Sequence, residues 1–129
     1  MCLKTVYTEK APEPIGSFSQ AIIYNNLVFT SGQLPLDPTS GRIVHGGIKE
    51  QTRTVLENIR AILKAAGSSL DLALKVTVYL KSLEYFTEFN NVYSEYFKEH
   101  KPARSVIEVS NIPKDALLEV DVIAAVKHK

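Results

Sequence analysis

Three observations lead from the sequence to an α+β layer sandwich. Six short runs alternate apolar and polar residues with the period of a strand, two longer stretches repeat their apolar residues with the period of a helix, and the two helices are too few to cover more than one face of the sheet. A chain of 129 residues is about the size of one domain with a core of its own, so a single domain over 1–129 is expected.

Leu3 to Tyr7 reads as the first strand, and APEPIGSFSQ follows as a loop punctuated by Pro12, Pro14 and Gly16. Ala21 to Tyr24 and Leu27 to Gln33 read as a hairpin turned at Asn25-Asn26, residues that tolerate positive φ. LPLDPTSGR is a second loop, leading to a short strand or turn at Ile43-Val44. From Gly47 to Ala66, Ile48, Val55, Leu56, Ile59, Ile62, Leu63 and Ala66 recur at helical spacing, and Gly67 is placed to end the helix. Leu74, Val76, Val78 and Leu80 alternate with Lys75, Thr77, Tyr79 and Lys81, as a strand with one core face does. Ser82 offers a capping hydroxyl to a second helix whose stripe is Phe86, Phe89, Tyr93, Tyr96 and Phe97. Asn90 falls inside that stripe, so burial and a need for hydrogen-bond partners are expected of it, with packing as its role.

The chain ends on two more strand-like runs, Arg104 to Val109 and Leu117 to Val126, separated by a polar connection, Ser110 to Ala116, that contains Pro113. In the second run Leu118, Val120, Val122, Ala124 and Val126 are all apolar, which turns Glu119 and Asp121 to the other face. Paired as an antiparallel hairpin, the two runs bring Arg104 near Glu119. A guanidinium beside a carboxylate can bind an anion and position a proton acceptor. On spacing alone, a structural cross-strand ion pair is the first reading. The uncovered face is expected to carry Phe29, Tyr79, Val106 and Ile123, apolar enough to call for self-association, with Arg104 and Glu119 near a subunit boundary.

Lys plus Arg number 15 and Asp plus Glu 14, without a block of like charge, so a nucleic-acid partner is not favoured. The one cysteine, Cys2, allows neither an internal disulfide nor a cysteine metal set, and fits a reducing compartment. His45, His100 and His128 are scattered without ligand spacing and read as ordinary surface residues, so no metal is expected. MCLKTVYTEK lacks a long apolar segment and no apolar run approaches bilayer length, so the expectation is a cytoplasmic protein with no membrane partner.

IGSFSQA at Ile15 to Ala21, FTSGQLP at Phe29 to Pro35, and PARSVIEV followed by IPKDALLEVDVIA resemble the motifs of the RidA/YjgF family of reactive-intermediate deaminases. The resemblance runs from about Ala11 to Val126. It implies a chorismate-mutase-like α+β subunit, a mixed six-stranded sheet with two helices packed on one face. It also implies a homotrimer with ligand sites between subunits, and cofactor-free hydrolysis of 2-imino acids to 2-keto acids and ammonia. Position by position, it makes Arg104 the carboxylate-binding arginine, Glu119 the water-activating glutamate, Ser31 the serine of the TSGQ motif with Gly32 beside it, and Asn90 the helix asparagine. Two positions depart from the pattern. Phe18 stands where the family usually has tyrosine, keeping the pocket wall but losing a hydroxyl. Val106 stands where it often has cysteine, a smaller change.

Two other classes stay open. A binding module would hold a 2-keto acid through Arg104 without turnover, while an RNA-directed activity, also attributed to members of the family, is disfavoured by the balanced charge.

Overall fold

In the computed structural model the described residues are 3–127, so the expectations for Cys2 and His128 lie outside them. The strands are β1 (Leu3–Val6), β2 (Ala21–Tyr24), β3 (Leu27–Thr30), β4 (Ala73–Leu80), β5 (Ala103–Glu108) and β6 (Leu118–Ala125). The helices are α1 (Ile48–Ala65) and α2 (Phe86–Tyr96). Each predicted element is present. The hairpin turns at Asn25, with φ of 56°, and α1 gives way to Gly67, with φ of 79°.

The six strands form one mixed sheet in the order β1-β2-β3-β6-β4-β5, antiparallel throughout except for the parallel pair β4 and β5. This overturns the expected hairpin of the last two strands. Helix α2 carries the chain from the end of β4 back to the start of β5, the long crossover that parallel neighbours need. With β5 on one side of β4 and β6 on the other, the two runs flanking Ser110 to Ala116 do not pair.

Directly paired residues share a face of the sheet. Val76, Val78 and Leu80 of β4 are fully buried under the helices, and their partners on β5 are Arg104, Val106 and Glu108. Val106 therefore faces the helices, packed against the core, and not the uncovered face as the sequence suggested. On β6 the alternation holds as read: Leu118, Val120, Val122 and Ala124 are buried, and Glu119 and Asp121 point the other way.

Helix α1 lies across β3 and β6 and beside α2, burying Val55, Leu56, Ile59, Ile62 and Leu63. Two of its buried polar side chains act as ties. Gln51 accepts a hydrogen bond from the Leu117 amide (2.9 Å) at the entry to β6, and Asn58 donates to the Leu36 carbonyl (2.9 Å). Gln20 performs the same service for the loop before β2. Fully buried, it accepts from the Thr8 amide and donates to the carbonyls of Thr8 and Pro12, fixing the segment that leads to Phe18.

The opposite face of the sheet has no helix over it. The register sets Leu3, Tyr24, Leu27 and Ala125 in one row across four strands, and Thr5, Ile22, Phe29 and Ile123 in the next. Further along, the rows become polar, with Asp121 beside Thr77 and Glu119 beside Tyr79. Phe29 is 39% exposed. The expected apolar face is thus real, and it is concentrated on β1, β2, β3 and the end of β6.

Candidate functional site

The residues singled out in the sequence form two groups, and the chain does not bring the groups together. Arg104 shares a face with Val76, which the helices cover, whereas Glu119 shares the uncovered face with Tyr79. The expected Arg104–Glu119 neighbourhood is therefore absent within one chain: the two side chains leave opposite faces of the sheet from strands separated by β4.

The first group is built by α2. Phe86, Asn90 and Tyr93 stand at i, i+4 and i+7 and so share one side of the helix. Arg104 reaches that side. Its Nη1 donates to Asn90 Oδ1 at 2.8 Å, and its guanidinium carbon lies 4.7 Å from the centre of the Tyr93 ring and 5.6 Å from that of Phe86. Cation–π contacts at these distances contribute roughly 0.5–2 kcal/mol each. Together with the hydrogen bond they hold the fork in one orientation with nitrogens to spare. Asn90 is half-buried, less than its place in the stripe suggested, because Arg104 enters beside it and satisfies its carbonyl. The Tyr93 hydroxyl is buried without a well-aligned partner among the described residues. Burial pushes its pKa up, against the pull of the nearby guanidinium. A cleft of about 390 Å3 opens here, with Arg104, Asn90 and Tyr93 in its walls.

The second group gathers around Glu119. Gly32, just past the end of β3, lies so close that a Cβ there would sit 1.9 Å from Glu119 Oε2. Any side chain at position 32 would thus push the carboxylate off the place it occupies. Burial, and then the neighbouring Asp121 carboxylate, push the Glu119 carboxyl above its usual range, and no hydrogen bond among the described residues opposes them. Asp121 is also pushed up by burial, partly offset by the hydrogen bond it accepts from the Tyr79 hydroxyl at 3.2 Å. Burial raises Tyr79 itself, with the negative field of Asp121 adding to it.

Ser31 precedes Gly32, its amide bound to the Gln20 carbonyl (2.9 Å) and its hydroxyl donating to the Ser19 carbonyl (2.6 Å). The hydroxyl has spent its proton and retains acceptor capacity. Phe18 is 50% exposed, and its ring lies over Gly16. A small cleft of about 60 Å3 joins Phe18 to Gly32. Val106 stands apart from both groups' open space, half-buried against the core.

Sequence reasoning missed Phe86 and Tyr93 as supports of Arg104, having assigned them to core packing; their spacing around Asn90 was the available signal. It also missed the coupling of Tyr79 and Asp121 to Glu119, which the alternation of β4 and β6 contained. His100 is not an ordinary surface residue: half-buried, its Nε2 lies 2.6 Å from the Ala73 carbonyl oxygen. His45 is exposed as expected. Among the described residues, no group of three His, Cys, Asp or Glu is arranged to hold a metal ion, and no helix is long and apolar enough to cross a membrane.

Comparison with known proteins places the chain in a family. The family model described as Endoribonuclease L-PSP matches residues 8–126. A RutC family protein of Pyrococcus abyssi is 57% identical over 124 residues, covering 96% of this chain and 98% of its own length. Human 2-iminobutanoate/2-iminopropanoate deaminase is 38% identical over 121 residues, covering 94% of this chain and 88% of its own. The crystal structure of E. coli TdcF with bound serine superposes with a TM-score of 0.91 at 39% identity, covering 96% of this chain and 99% of that one. A two-helix, six-stranded mixed sheet shared with such structures, and a family match spanning nearly the whole chain, lead to one conclusion: the chain belongs to the RidA/YjgF family, whose family model carries the description Endoribonuclease L-PSP.

Proposed function

We propose that this protein hydrolyses 2-imino acids such as 2-iminobutanoate and 2-iminopropanoate to 2-keto acids and ammonia, without a cofactor, at a site assembled from two copies of the chain. The observation that carries the reading is the division of Arg104 and Glu119 between opposite faces of the sheet. Each is prepared for half of the task, and a second copy seated against the uncovered face is the way to unite them. The apolar rows of that face support self-association, and the proposed assembly is a cytoplasmic homotrimer, with Arg104 from one copy and Glu119 from another.

In this reading Arg104 takes the substrate carboxylate through paired charge-assisted hydrogen bonds, each contributing about 1.5–3 kcal/mol. Asn90, Tyr93 and Phe86 keep its fork from turning away. Ser31 Oγ, its own proton engaged by Ser19, accepts from the N–H of the protonated imine. Glu119 removes a proton from water as the oxygen attacks C2, a step in which a positioned base gives about 10²–10⁴-fold. Glu119 returns that proton to nitrogen and then takes the carbinolamine O–H proton as the C–N bond breaks, so that ammonia leaves and the carbonyl of the 2-keto acid forms. Phe18 and Gly32 form the wall beside Glu119. The names of two relatives support this chemistry, one a deaminase of these imines and the other a protein crystallised with a small amino acid.

The test is a coupled assay in which an amino-acid dehydratase generates imine and keto-acid release is followed with and without the protein. Acceleration that disappears in Arg104→Ala and is not restored in Arg104→Lys is expected. Tight 2-ketobutyrate binding with no acceleration would replace this reading with that of a small-carboxylate binding module. The description of the family model favours examining RNA cleavage as a second reading. Cleavage that persists in Arg104→Ala would move the function away from the imine site.

A further inference from the structure

The cleft beside Arg104 contains a second cation that the hydrolysis of a small monocarboxylate does not use. Lys101 and Arg104 line the same cleft, together with Asn90 and Ser94, and no carboxylate is among its walls. Lys101 makes no salt bridge among the described residues. Its backbone is bracketed. His100 is fixed on the Ala73 carbonyl at 2.6 Å, and Pro102 restricts the chain on the other side. The ammonium is thus presented from an anchored segment even though its side chain is exposed.

Three residues of extended chain separate the two cations by at most about 10 Å between Cα atoms. Side chains as long as lysine and arginine, lining one cleft, have the reach to bring their charges to the separation of the two carboxylates in a four- or five-carbon diacid. The cleft's volume, about 390 Å3, is more than a three- or four-carbon acid needs, since pockets of about 300–1,000 Å3 hold ligands of drug size. Tyr93 adds a further polar group, a buried hydroxyl in want of a partner.

From this arrangement we infer that the site takes 2-imino and 2-keto acids bearing a second, distal anionic group, with Lys101 as the residue that selects it. The inference rests on the reading of Arg104 as the clamp for the first carboxylate. It adds a substrate class to that reading, the four- and five-carbon 2-imino dicarboxylates, and assigns their preference to one residue.

The experiment compares two stable keto acids of similar length, 2-oxoglutarate and 2-oxohexanoate, by calorimetric titration of the purified full chain. The expected result is about fivefold tighter binding of 2-oxoglutarate, the upper end of what a solvent-exposed ion pair supplies, eroding as salt is raised. The ratio falls to about one in Lys101→Met and survives in Lys101→Arg and in Lys98→Met, which alters the charge of the neighbouring surface outside the cleft. A ratio near one in the unmodified protein, or a preference undiminished in Lys101→Met, overturns the inference. In either case, binding of both acids that is lost in Arg104→Ala leaves the clamp reading standing. Binding of both acids that survives Arg104→Ala removes the clamp, and the inference with it.

Discussion

Replacing Gly32 by alanine tests whether the observed position of Glu119 is its working position. The new Cβ would lie 1.9 Å from Oε2, 2.9 Å from Cδ and 3.2 Å from Cγ of Glu119. An ordinary carbon–oxygen contact is about 3.3 Å, so the carboxylate oxygen must retreat by more than about 1 Å. The atom that moves is the end of a flexible side chain with no hydrogen bond among the described residues to break, so the cost in stability is small, less than about 1 kcal/mol. Catalysis is less forgiving. A displacement of about 1 Å in a catalytic group can cost about 10²-fold. The expected outcome is turnover of imine reduced about 10²-fold, with 2-ketobutyrate affinity and melting temperature close to those of the parent. The measurements are the coupled dehydratase assay, calorimetric titration and thermal unfolding on the same preparation. Parental turnover in a folded Gly32→Ala protein would refute the reasoning, because a carboxylate forced off its place would then have been shown not to need it.

Glu119→Gln keeps the shape but not the base, so 2-ketobutyrate binding persists while turnover falls about 10²-fold or more; equal losses of both would end the division of labour between Arg104 and Glu119. The proposed hydrolysis needs the ionised form of Glu119, whose carboxyl is pushed upward by burial and by Asp121, so activity is expected to fall on acidification at a higher pH than an ordinary carboxylate near pH 4.3 would allow. In Asp121→Asn the second cause is removed and burial remains. The acid limb of the rate profile therefore moves part of the way down, and an unmoved or rising limb contradicts the electrostatic account. Phe18→Tyr supplies a hydroxyl at the wall beside Gly32 and is expected to raise turnover, with stopped turnover assays at saturating imine supply as the check. Light scattering at micromolar concentration is expected to give the mass of three chains, and a monomeric mass would remove the shared site.

The elements were legible in the sequence because each carries its own periodicity. Nothing about α1 depends on its neighbours, and the alternation from Leu118 to Ala124 identifies the buried face of β6 unaided. Pairing is a different matter. Two adjacent strand-like runs joined by seven residues suggest a hairpin, since consecutive strands usually neighbour one another. Yet β4, α2 and β5 form the strand, helix and strand of a parallel crossover, and that pattern outranks proximity in sequence. Reading it would have put β5 against β4 and separated Arg104 from Glu119. The error in Val106 follows from the same step, because the face of β5 is decided by its register with Val78. The residue types of each group could be read from the sequence. The sheet faces from which the halves emerge were not.

The strand that comes after the other five in sequence lies between β3 and β4. Before it inserts, the chain can form only two separate pieces of sheet, a three-stranded piece from β1 to β3 and a parallel pair from β4 and β5. Each has an inner edge of unpaired amides and carbonyls. β6 joins both edges in one act, and with them it delivers Glu119 and the central row of the core. Completion of the sheet and placement of Glu119 therefore coincide, governed by contacts far apart along the chain, the kind that form slowly. A chain shortened before Leu118 keeps two helices and five strands in its sequence but has no means of making them one layer.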